Sequence, residues 1–183
     1  IIDCRGNLYS FGCPEYGQLG HNSDGKFIAR AQQIEYDCKL VPQRVAIFIE
    51  KTKDRFCLYQ ICLCETWPVA LTTAGPGLPE VIFSWGFSGY GWLGHAEQKD
   101  EMVPRLVKLF DFSGRGVSQI YAGYTCFFAI SEVGGLFFQG ATNTSRESTT
   151  YPKAVQDLCG CRIQSLACGK SSNIVAANEN TIS

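Results

Sequence analysis

One stretch of this chain is written twice. Tyr9-Ser10-Phe11-Gly12-Cys13-Pro14-Glu15-Tyr16-Gly17-Gln18-Leu19-Gly20-His21 returns as Phe83-Ser84-Trp85-Gly86-Phe87-Ser88-Gly89-Tyr90-Gly91-Trp92-Leu93-Gly94-His95. In both copies an aromatic, Ser, a second aromatic and Gly precede Tyr-Gly-x-Leu-Gly-His in register. An internal repeat is a strong constraint, because each copy must form one local structure that packs against the next. A weaker third copy opens at Gly134-Gly135-Leu136-Phe137-Phe138-Gln139-Gly140, with Gln139 where Phe11 and Trp85 stand.

Other lines recur with it. Val41-Pro42-Gln43-Arg44-Val45, Val103-Pro104-Arg105-Leu106-Val107 and Tyr151-Pro152-Lys153-Ala154-Val155 each follow a polar segment. Proline before a short β-branched run suits an edge strand, where a missing N–H leaves no ladder bond unmade. The line from Gln119 to Ile130 reads as two strands around a turn at Gly123, and Gln164 to Ala176 repeats it around Gly169. Gly86 to Gly140, Gly123 to Gly169 and Pro104 to Pro152 are each separated by about 50 residues, a period that several short strands with Gly-aromatic punctuation give to propeller blades. Nineteen glycines and 13% aromatics fit that reading better than a helical bundle, and no 3.6-residue periodicity is sustained.

The expected fold is therefore all-β, a partial β-propeller of about three blades. Residues 1–183 form one incomplete propeller domain in this reading, and the chain is taken to be a fragment. Its units are 1–82, which carries an insertion, then 83–136, then a truncated 137–183. With 45% hydrophobic and 18% charged residues the chain is globular, and a net charge of −1 gives no support for a strongly basic nucleic-acid binder. No apolar run is long enough to cross a bilayer as a helix.

Candidate chemistry is weighed against that repeat. His21 and His95 occupy one repeat slot, whereas a catalytic site is asymmetric, so Gly12, Gly17, Gly20, His21, Trp85, Gly86, Gly91, Gly94, His95 and Gly140 are assigned to blade architecture. No catalytic residue, metal site, cofactor or small-molecule substrate is expected. Ten cysteines contain no CxxC pair, and with two histidines they are read as buried thiols and not as a zinc site. Gly169-Lys170-Ser171 imitates the end of a phosphate-binding loop, but Gln164 stands where its first Gly is needed. Asn143-Thr144-Ser145 fits a glycosylation sequon, and Asp100-Glu101 is read as solvated surface.

The Trp-Gly, Tyr-Gly-x-Leu-Gly, Pro-x-x-Val and Ala-x-Gly lines resemble the repeats of the regulator of chromosome condensation family over residues 9–54 and 83–183. That resemblance implies a seven-bladed β-propeller. It implies a mitotic regulator that binds a small GTPase of the Rho type, with guanine-nucleotide exchange as its activity. It implies association with chromatin, centromeres and microtubules, in the nucleus and on the spindle. It also implies that a loop beginning at Lys51-Thr52-Lys53-Asp54 faces the GTPase; an ordinary solvated hairpin tip is the alternative. A scaffold propeller or an inactive remnant without exchange activity is the competing function. Residues 55–82 depart from the family pattern, with three cysteines, three prolines and no alternation, and the expectation is a segment read out of frame or from a different exon.

Overall fold

The computed structural model describes residues 1–46, 56–64, 66–74, 80–112, 116–141, 149–170 and 172–179. Strand β1 (Tyr9–Gly12) pairs antiparallel with β4 (Lys39–Arg44), and the residues between them carry a short hairpin of β2 (Lys26–Ile28) and β3 (Ile34–Tyr36). A four-stranded meander follows: β5 (Phe56–Leu63), β6 (Pro68–Ala74), β7 (Ile82–Gly86) and β8 (Glu101–Leu106). One short helix, α1 (Lys108–Phe112), leads into the next meander of β9 (Val117–Ala122), β10 (Cys126–Ser131), β11 (Leu136–Gly140) and β12 (Thr149–Ala154). The last pair is β13 (Cys161–Cys168) with β14 (Asn173–Glu179). Two four-stranded sheets and two half-sheets at either end amount to about three propeller blades.

The sheets are offset from the sequence units. The repeated opening is the third strand of a sheet, at β7 and β11, and the Pro segment is the fourth, at β8 and β12. By the same equivalence β1 and β4 are a third and a fourth strand. Pro104 and Pro152 accordingly sit on outermost strands, where no neighbouring strand needs their missing N–H.

Side-chain alternation builds the stack. Phe127 and Ala129 of β10 point into a core shared with Trp67, Val69, Leu71 and Ile82, while Phe128 and Ile130 point into a second core with Leu136 and Leu166. On β6, Val69 and Leu71 enter the first of these cores and Ala70 enters another, with Leu8, Val45, Phe83 and Trp85. Successive side chains of a strand face opposite ways, so a sheet covered on both sides needs apolar residues at every position.

Residues 55–82, where the sequence pattern breaks, also contribute strands. They supply β5 and β6, paired from Phe56 with Ala74 to Leu63 with Pro68, and Pro68 to Leu71 are buried throughout. Alternation is missing because β6 lies between two cores, not because the segment fails to fold as a blade.

Candidate interaction loops

Each copy of the repeat ties its serine and histidine to each other and to a loop carbonyl. Ser10 Oγ donates to the Leu19 carbonyl at 2.6 Å and lies 2.9 Å from His21 Nε2. Ser84 Oγ donates to the Leu93 carbonyl at 2.6 Å and lies 3.1 Å from His95 Nε2. Because each hydroxyl proton goes to a carbonyl, the imidazole is the donor to the serine oxygen. A serine held this way is not activated by its histidine, since that would require the opposite direction of donation. Burial lowers the pKa of both rings: His21 is shifted down by burial and then by Lys39, and His95 is brought to about 4 by burial and then by Arg105.

The residue after each histidine joins consecutive sheets. Asn22 and Ala96 both have positive φ, 60° and 61°. The Asn22 N–H donates to Met102 O on β8 at 3.0 Å, and the Ala96 N–H donates to Thr150 O on β12 at 2.8 Å. Gly17 and Gly91 make this approach feasible. A Cβ at Gly91 would lie 2.6 Å from Thr150 Cγ2, and one at Gly17 would collide with Met102 Sδ.

Trp85 and Gln139 share one slot and one task. Trp85 Nε1 donates to Gln18 O at 2.9 Å, and Gln139 Nε2 donates to Gly91 O at 3.1 Å and also to Thr149 O. Both reach back to the loop of the preceding unit. In sequence Gln139 weakened the third copy. The signal for its role was the side-chain N–H it shares with tryptophan, not its hydropathy. Phe11, in the same slot of the first unit, is 50% exposed, against 1% for Trp85 and 0% for Gln139.

The loops also carry aromatic rings that the sequence displayed only as repeat punctuation. Tyr16 meets Phe87 edge-on at 5.8 Å, Phe87 meets Tyr90 at 6.3 Å, and Tyr90 stacks on Trp92 at 4.8 Å. This row crosses from the first unit to the second. A cleft of about 390 Å³ is lined by Leu8, Phe11, Leu63, Trp67, Pro68 and Trp85, among others. Asp100 Oδ1 accepts from the Ser88 N–H at 2.6 Å, which gives that carboxylate a loop-closing role within the second unit.

Four thiols line the junctions between sheets. Cys62 on β5 and Cys64 just after it donate to Ile120 O and Cys126 O, and Cys64, Cys126 and Cys168 are shifted upward mainly by burial, Cys168 to about 12. Among the described residues no group of three or more His, Cys, Asp or Glu is placed to hold a metal ion. Gly169 and Lys170 belong to the β13–β14 hairpin, where Lys170 Nζ sits 5.1 Å over the Tyr124 ring. The Lys51, Thr52, Lys53 and Asp54 loop lies outside the described residues, as does the Asn143 sequon. Among the described residues no helix is long and apolar enough to cross a membrane.

Comparisons with known proteins agree with this geometry. The pattern of the regulator of chromosome condensation (RCC1) repeat matches residues 5–63 and 81–130. The chain is 76% identical over its whole length to "Protein RCC2" of Homo sapiens and 75% identical to "Protein RCC2" of Mus musculus, covering 35% and 36% of those proteins. It thus spans about a third of the length of these relatives. A crystal structure of Prp20p from Saccharomyces cerevisiae, 15% identical, superposes with a TM-score of 0.72 over 99% of this chain and 42% of that one. Sheets, loops and sequence pattern converge, and the chain belongs to the regulator of chromosome condensation repeat family.

Proposed function

We propose that this chain forms part of a β-propeller regulator that binds a small GTPase of the Rho type and promotes its nucleotide exchange. The loop carrying Lys51, Thr52, Lys53 and Asp54 is the contact assigned to the GTPase. Chromatin, centromeres and microtubules are the further partners, in the nucleus and on the spindle. The observation that carries this reading is the 76% identity, over the whole chain, to Protein RCC2 of Homo sapiens. Prp20p lends general support, because that protein has binding properties toward Gsp1p and histones. Physically, exchange needs no general base. A surface that prefers the nucleotide-free GTPase over the nucleotide-bound form shifts the population toward release.

The test is release of fluorescent GDP from Rho-family GTPases in the presence of the protein. The expected result is accelerated release that is lost when Lys51 and Lys53 are replaced by Ala and Asp54 by Asn. Unchanged release together with retention of nucleotide-free GTPase on the immobilised protein would favour the scaffold reading. That reading draws on the loops, whose Ser, His and Trp groups are spent on contacts within the propeller. Neither release nor retention would remove the GTPase as a partner.

A further inference from the structure

Two thiols face each other across the first sheet. The β1–β4 ladder ends with Gly12 opposite Lys39, which sets Cys13 opposite Cys38 one step further out. The neighbouring Cys13 thiol raises the pKa of Cys38 above its ordinary value, both residues are exposed, and neither is in a disulfide. Directly opposed residues of an antiparallel pair have Cα atoms about 4.5–5.5 Å apart, inside the range that a disulfide spans without moving the backbone.

The surroundings hold this pair in place. Pro14 packs on Gly25, the Asp37 N–H donates to Gly25 O at 2.8 Å, and Lys39 Nζ is bonded to Asp37 Oδ2 at 2.5 Å. The chain is therefore tied down immediately beyond Cys13 and immediately before Cys38. Nor does the repeat demand thiols at these positions. In the second sheet Gly86 pairs with Glu101, so the equivalent residues are Phe87 and Asp100. The first joins the aromatic row and the second accepts from Ser88. The blade is built there without sulfur.

We propose that Cys13 and Cys38 are a reversible oxidation site, a cross-strand dithiol that closes to a disulfide by exchange with a low-molecular-weight disulfide such as oxidised glutathione. One thiolate attacks the small disulfide, forming a mixed disulfide and releasing one glutathione thiolate. The facing thiol loses its proton, attacks the protein sulfur of the mixed disulfide and expels the second glutathione. Two electrons pass from the protein sulfurs to glutathione, and two thiols of glutathione are formed for the two consumed. Closure ties residues 14–37, including the β2–β3 hairpin, into a covalent loop beside Tyr16 at the start of the aromatic row. Cys62, Cys64, Cys126 and Cys168 are poorer reactants, because each is wholly or partly covered and less accessible to a small disulfide.

The experiment treats the folded protein with graded oxidised glutathione, blocks free thiols and maps peptides by mass spectrometry without reduction. The expected product is a linked peptide pair joining Cys13 to Cys38, two hydrogens lighter than its separate parts and released by dithiothreitol. Tryptic cleavage after Lys26 and Arg30 should slow by about threefold or more in the oxidised form. Cys13→Ser should leave Cys38 as a stable glutathione adduct, and Cys38→Ser should do the same for Cys13. Separate glutathione adducts on both residues of the unsubstituted protein would overturn the proposal. So would pairing of either residue with Cys4 or Cys159 in preference to the other. Mapping the unsubstituted protein decides the matter even where a variant folds poorly.

Discussion

His95 shows how a residue that looks chemical becomes structural. Its ring is bonded to Ser84, the next residue is bonded to the following sheet, and burial with Arg105 nearby brings its pKa to about 4 from an ordinary 6.5. The unfolded chain therefore takes up a proton in that window that the folded chain refuses. Stability is complete above pH 6.5 and is lost as the pH falls toward 4. His21 is shifted in the same direction, first by burial, and adds to the effect. Thermal midpoints followed by circular dichroism from pH 7.5 to 4 should fall across this window, and His95→Gln should flatten the slope. An identical slope in the variant would remove His95 as the source. That the two histidines share one repeat slot was legible in the sequence. The direction of the Ser–His hydrogen bond was not, because it depends on where the Leu93 carbonyl lies.

Strands and loops in this chain work as a ratchet, each unit reaching back to the one before. Trp85 Nε1 on Gln18 O and Gln139 Nε2 on Gly91 O reach equivalent loops one carbonyl apart, since Gln18 corresponds to Trp92. Trp85→Phe keeps a buried ring but leaves the Gln18 carbonyl without this donor, and should cost about 1 kcal/mol. Phe11→Ala, in the equivalent but half-exposed slot, should change stability by less than about 0.5 kcal/mol. Urea denaturation of the two variants checks the contrast, and equal losses would show that the slot is not used as described. The sequence repeat gave away the third and fourth strands of each sheet. It concealed β5 and β6, whose residues show neither alternation nor a repeated motif.

The assembled array leaves its two ends open. On the first half-sheet Leu40 is 90% exposed, and on the last pair Ile174 is 70% exposed. Pro42 is exposed too, whereas its counterparts Pro104 and Pro152 are buried against Gly20 and Gly94 of the preceding unit. Exposed apolar faces and unpaired strand edges favour self-association. The 183-residue chain alone is expected to elute above its monomer size, and Leu40→Lys combined with Ile174→Lys should raise the monomer fraction several-fold without shifting the unfolding midpoint. Size-exclusion chromatography with light scattering measures this. A fully monomeric parent chain would contradict the expectation.

Recurrent glycines, histidines and prolines were enough to read an all-β repeat and its family, because each marks a backbone position that only a few residue types can fill. Gly86 and Gly140, at φ 101° and 116°, sit in the same register shift of successive sheets for that reason. Tertiary structure alone set the rest: the sheets' offset from the repeat units, the equivalence of Gln139 with Trp85, and the facing of Cys13 and Cys38. Those relations join residues 25 to 67 positions apart or rest on strand register, and a linear pattern carries no record of which partner a donor or a thiol will meet. In the opening repeat the serine and histidine were visible from the start, and packing set them against each other and the Leu19 carbonyl.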